Sequence, residues 1–138
     1  LLFPLKIYPR GQPDAGLVRT VVGIDERQKA MIFAGSMPQG YVAQMMLGHF
    51  DNLVAGAGRA ARQAAIPGAK LAILVSCIGR KLLLGQRIVD EVEAVSEVLG
   101  DECRLTGFYS YGEIAPLETL PRCDLHNQTM TITTMAEA

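Results

Sequence analysis

Lys70-Leu71-Ala72-Ile73-Leu74-Val75-Ser76-Cys77 is a continuous, mostly apolar run bounded by the turn signals Pro67-Gly68 before it and Gly79 after it. A short apolar run without alternation is the pattern of a central strand buried on both faces. Such a strand needs neighbours and a covering layer, and the flanking sequence offers both. Upstream, Asp51 caps a helix running to about Ala65, with Leu53, Ala57, Ala60 and Ala64 on its apolar face. Most of that face is alanine, so the helix must lie close to its neighbour. Downstream, Ile88, Val92, Val95 and Leu99 recur at helical spacing, with Asp90, Glu91, Glu93 and Glu97 on the other face and Gly100 at the stop position. Arg104–Ser110 and Gln128–Met135 read as two further strands.

The first half of the chain is strand-rich. Leu2–Tyr8, interrupted by Pro4, reads as an edge strand or an extended arm, because proline removes a ladder donor. Leu17–Ile24 reads as one strand with Val18, Thr20, Val22 and Ile24 on one face, forming a hairpin with Lys29–Ala34 across Asp25-Glu26-Arg27-Gln28. Gly35–Gly40 is a turn, and Tyr41–Leu47 reads either as a third strand of the meander or as a helix. The expectation is one α+β domain over residues 1–138, with a mixed, largely antiparallel sheet of about six strands and two main helices.

Composition narrows the function classes. The 138 residues are 49% apolar and 20% charged, as in ordinary globular chains. Thirteen Lys+Arg against fourteen Asp+Glu leave a net charge of −1, which supplies no electrostatic footprint for nucleic acid or an anionic membrane surface. No apolar run approaches the ~18 residues a membrane helix needs. Cys77, Cys103 and Cys123 form no CxxC and are odd in number, and His49 and His126 complete no zinc-type spacing. We expect a reducing, cytoplasmic setting, no metal and no cofactor. Gly56-Ala57-Gly58-Arg59-Ala60-Ala61 matches a dinucleotide fingerprint in letters only. The acidic residue that should follow about 20 residues on is missing, Asp90 lying 34 residues beyond Gly56.

Three polar segments carry the chemistry. Cys77-Ile78-Gly79-Arg80 places a thiol at a strand end and a guanidinium in the next turn. Arg80 either grips a ligand carboxylate through its planar fork or pairs with an acid on the 88–99 helix. A Cys77 nucleophile would need a base, and His126 is the candidate. In Tyr109-Ser110-Tyr111-Gly112-Glu113, alternation puts Leu105, Gly107, Tyr109, Tyr111 and Glu113 on one face, with Gly107 leaving a gap. Glu113 there either receives an ammonium group or bridges to Arg80 or Arg104. His126-Asn127-Gln128-Thr129 either fixes a small polar molecule or holds a turn together.

CIGR at 77–80, GFYSYGEIAP at 107–116 and LHNQT at 125–129, with LVRTVVGID and GSMPQGY upstream, closely resemble the C-terminal domain of the FIST family of sensory proteins. The likeness runs from about Leu2 to Met135, with YGEIAP and HNQT its most specific parts. It implies a cytosolic, non-enzymatic sensory module that binds a small polar ligand such as an amino acid. It also implies a separate N-terminal FIST domain in the same protein, in keeping with a chain that lacks an initiating Met. Cys77, Arg80, Tyr109, Tyr111, Glu113, His126 and Asn127 are the expected ligand-binding residues. In that arrangement Arg80 takes a carboxylate, Glu113 takes an ammonium, and His126 and Asn127 orient the ligand. The rival readings are a half-domain docking the N-terminal FIST domain or a second copy, and a Cys77 enzyme.

Overall fold

The structure is a computed structural model that describes residues 1–116 and 123–137. Its centre is β6 (Ala69–Cys77), hydrogen-bonded on both edges as the apolar run predicts. On one edge lies β7 (Arg104–Ser110), parallel, in a register running from Leu71 opposite Arg104 to Cys77 opposite Ser110. On the other lies β10 (Met130–Ala136), antiparallel, with Met130 opposite Ser76. A parallel pair needs a crossover, and α2 (Ile78–Leu84) and α3 (Ile88–Leu99) provide it.

Helix α1 (Phe50–Ala64) packs against α3 over one face of this sheet. The buried core comprises Ala57, Ala61, Ala72, Leu74, Val95, Cys103 and Met130. The small side chains of α1 admit the close approach expected of them, and the glycines of the fingerprint-like segment lie inside this helix rather than in a phosphate loop. Burial along β6 alternates, with Ala72, Leu74 and Ser76 buried and Leu71, Ile73 and Val75 half-buried. Only the helix-covered face is therefore fully buried, which corrects the two-sided expectation.

The orientation of α3 is also corrected. Glu91 is 0% exposed whereas Val92 is 41% exposed. The helix presents a carboxylate to the interior because a buried cation waits there, as described below.

The remaining strands make small separate sheets rather than one sheet of six. β1 (Leu5–Tyr8) is the middle of three, antiparallel to β2 (Leu17–Arg19) and to β5 (Val42–Met45). It is central, not an edge, because Pro4 stands just outside the ladder. The expected strand 17–24 breaks at Thr20, whose N–H donates to the Asn127 side chain instead of to a neighbouring strand. β3 (Val21–Asp25) then pairs with β4 (Ala30–Phe33) in the expected hairpin, its turn fixed by Asp25 Oδ1 accepting the N–H groups of Arg27 and Gln28. β5 leaves this meander to join β1. β8 (Glu113–Pro116) and β9 (Cys123–His126) form the last antiparallel pair. The class is α+β, with more and shorter strands than expected. Among the described residues, no helix is long and apolar enough to cross a membrane.

Candidate functional site

The three polar segments meet at the C-terminal end of β6. There the strand passes straight into α2, and the Cys77 N–H donates to the Thr129 carbonyl at 3.0 Å, fastening the 125–129 segment beside the turn. Arg80, in the first turn of α2, points inward. Its Nε donates to Glu91 Oε2 at 2.9 Å, and its Nη2 lies 2.8 Å from the same oxygen and donates to the Leu53 carbonyl. Glu91 Oε1 accepts from Ser76 at 3.2 Å and, at longer range, from the Tyr109 hydroxyl. The acid on the 88–99 helix that sequence alone left as an alternative partner of Arg80 is thus Glu91.

Glu113 is buried with both oxygens engaged, Oε1 accepting from Ser110 Oγ at 2.6 Å and Oε2 from Thr129 Oγ1 at 2.7 Å. It does not share a face with Tyr111. The strand ends at Ser110, and the turn at Tyr111-Gly112 leaves Tyr111 90% exposed while Glu113 is 2% exposed. Gly107 does border open space, lining the same cavity as Leu105 and Tyr109, but the glycine also serves packing, since a Cβ there would stand 2.0 Å from the Leu74 carbonyl oxygen. It lets β7 approach β6.

His126 donates from Nε2 to the Ala115 carbonyl at 3.0 Å. Asn127 accepts the Thr20 N–H through Oδ1 and donates through Nδ2 to the His126 carbonyl. Gln128 adopts φ +56° and donates to the Leu1 carbonyl. Burial pushes the Cys77 thiol above its ordinary range; the Gln128 and Gly79 N–H groups and Arg80 oppose this, while Glu113 adds to it. A reactive thiol is shifted in the opposite direction. The Tyr109 hydroxyl is raised by burial and by Glu91, and the Lys81 ammonium sits 4.8 Å from its ring centroid.

The expected binding residues therefore converge on one junction but face different spaces. Arg80 lines a cavity of about 330 Å³ between α1 and the 46–49 segment, together with Asn52, Gly56, Arg59, Gln128 and Thr129. Cys77, Tyr111 and Asn127 line a second of about 370 Å³, beside Thr20, whose hydroxyl is buried with no hydrogen-bond partner among the described residues. Tyr109 lines a third, of about 250 Å³, with Glu91. Glu113 and His126 line none of the three. The single pocket pairing Arg80 with Glu113 is corrected accordingly: Glu113 lies behind Thr129, its oxygens already occupied.

Sequence reasoning passed over Arg59. Its Nη2 lies 3.6 Å, and Arg80 Nη1 3.8 Å, from the position a Cβ would take on Gly56. The available signal was that Arg59 is the one side chain in Gly56–Ala61 that is not small.

Residues 1–116 match the family model of the FIST C domain. The chain belongs to the FIST C domain family. No curated protein and no solved structure matches it. The FIST C match takes in CIGR and GFYSYGEIAP and stops before His126-Asn127-Gln128-Thr129, so it is shorter at its C-terminal end than the resemblance suggested. Membership makes this a signal-transduction-associated domain. Among the described residues of this FIST C domain, no cluster of His, Cys, Asp and Glu is placed to hold a metal ion.

Proposed function

We propose that this FIST C domain binds a small polar metabolite, in the class that includes amino acids, as the sensory part of an intracellular signal-transduction protein, and that it is not an enzyme. One observation carries the reading: two guanidinium groups, Arg59 and Arg80, converge over Gly56 in a cavity that Gln128 and Thr129 also line. Convergent polar groups in a concave, partly apolar space are what a small-molecule site needs. Arg59 supplies a charge for a ligand carboxylate, Arg80 supplies a rigid donor edge, and Asn52, Gln128 and Thr129 offer hydrogen bonds. The non-enzymatic part rests on Cys77, which is buried and shifted away from thiolate, and on His126, which is committed to Ala115. Free Cys77, Cys103 and Cys123 suit a reducing cytoplasm.

The test is a thermal-shift screen of the 138-residue chain against amino acids and small organic acids. A ligand at about 100 times its Kd stabilises by roughly 2.7 kcal/mol. The reading requires a selective upward shift that Arg59→Ala removes, and a flat response across the whole screen contradicts it.

A second reading has its own observation. Val22, Ile24 and Met31 stand exposed on the β3–β4 hairpin. Contiguous exposed apolar side chains mark interaction surfaces. The partner in this reading is the N-terminal FIST domain of the same protein or a second copy of the chain. Sedimentation that is independent of concentration contradicts the second-copy form.

A further inference from the structure

We propose that the cavity over Gly56 selects small anions that carry no ammonium group, carboxylates without an amino group or phosphate esters, and rejects amino acids. This rests on the ligand reading above and narrows its class.

The charge inventory of the cavity is one-sided. Two guanidinium groups line it, Arg59 and Arg80, with the His49 imidazole beside them, and among the described residues no Asp or Glu does. The two buried carboxylates closest to the junction are both committed. Glu91 receives Arg80, Ser76 and Tyr109, and Glu113 receives Ser110 and Thr129. An ammonium group entering this space meets cations and neutral amides, with no carboxylate to neutralise it. Like charges held close cost binding, the more so where water is partly excluded.

The two arginines divide the work. Glu91 offsets the charge of Arg80 and locks its Nε and Nη2, leaving Nη1 on the Gly56 side. Arg59 makes no ion pair with a described residue and is exposed, so its guanidinium is accessible to a ligand. An oxygen of a carboxylate or phosphate seated over Gly56 reaches Nη1 of Arg80 and Nη2 of Arg59 together, a charge-assisted arrangement. Gly56 leaves this side of α1 without a side chain: a Cβ there would stand 3.6 Å and 3.8 Å from those two nitrogens and would crowd an anion seated beyond it. Glycine in mid-helix weakens α1, and the anion seat accounts for keeping one there.

The experiment is titration calorimetry of the 138-residue chain with succinate, its amino-bearing counterpart aspartate, and inorganic phosphate, repeated on Arg59→Gln and Gly56→Ala. Succinate or phosphate binds at least roughly tenfold tighter than aspartate. Arg59→Gln weakens that binding roughly tenfold or more with an unchanged melting temperature. Gly56→Ala weakens binding while raising the melting temperature. Binding of succinate alone assigns a carboxylate ligand, and binding of phosphate alone assigns a phosphate ester. Aspartate binding as tightly as succinate, with Arg59 dependence, overturns the anion selectivity but keeps the ligand site. Binding indifferent to Arg59→Gln overturns the seat. No heat from any of the three overturns the inference, and the amino-acid and organic-acid screen described above then decides separately whether the broader ligand reading survives.

Discussion

Arg80 and Glu91 meet inside the protein with side chains 4% and 0% exposed, the guanidinium directing two nitrogens onto one carboxylate oxygen. The pair joins the start of α2 to the inward face of α3, and through Leu53 and Ser76 it touches α1 and β6 as well. Two ions buried this deeply are tolerable only together, since each alone would carry its full desolvation penalty.

Glu91→Leu and Arg80→Met should each lower the unfolding free energy by about 3–5 kcal/mol, because each leaves one buried charge without its counter-ion. Arg80→Met combined with Glu91→Leu should cost less than the sum of the single changes. Urea denaturation of the four proteins measures this, and additive losses would contradict the account.

Thr129 should matter through its hydroxyl rather than its shape. Thr129→Val keeps the volume but removes the donor to Glu113 Oε2, at a cost of about 1.5–3 kcal/mol for a bond to a buried charge. Thr129→Ser, which retains the hydroxyl, should recover most of that. Equal losses from both substitutions would show that packing, not the hydrogen bond, is what counts.

At Gly107 a Cβ would stand 2.0 Å from the Leu74 carbonyl oxygen, and the obstacle is backbone. Gly107→Ala must push β7 away from β6 and should destabilise by about 2–4 kcal/mol. A chemical-denaturation midpoint unchanged from the parent would mean that β7 is free to shift.

Alkylation at neutral pH should modify exposed Cys123 first and leave buried Cys77 and Cys103 until the chain unfolds. The raised thiol of Cys77 also sets a pH dependence. Its folded pKa lies above the ordinary value near 9, so the unfolded chain releases this proton first as pH rises. The stabilising contribution is complete below about pH 9 and is lost as pH climbs through the folded value. Tyr109 acts in the same direction from its ordinary value near 10. Unfolding free energy should therefore fall in alkali, and less steeply in Cys77→Ala. Mass spectrometry and a pH series of denaturation curves measure the two effects.

Local pattern made much of the framework legible. The central strand β6, the helices α1 and α3, the Gly100 stop, the β3–β4 hairpin and the strands on either side of β6 all follow from periodicity and turn residues that act within a few positions of one another. The three polar segments were legible one by one as sets of unusual residue types. Where their side chains point was not. Alternation placed Tyr111 and Glu113 on one face, but a turn at Tyr111-Gly112 intervened and separated them.

Sequence by itself thus determined the central strand with its two neighbours, the helices α1 and α3, the β3–β4 hairpin, the α+β class and the family, because each rests on short-range spacing and on motifs read in order, whereas α2, β8 and β9 went unread. Tertiary structure alone decided that β1 is central and takes β5 as a neighbour, that Glu91 turns inward, and that Arg59 meets Arg80 over Gly56. The physical reason is common to all three. Strand pairing, the burial of a charge and the convergence of two cations depend on groups distant in the chain, and periodicity within one element carries no information about what stands opposite it.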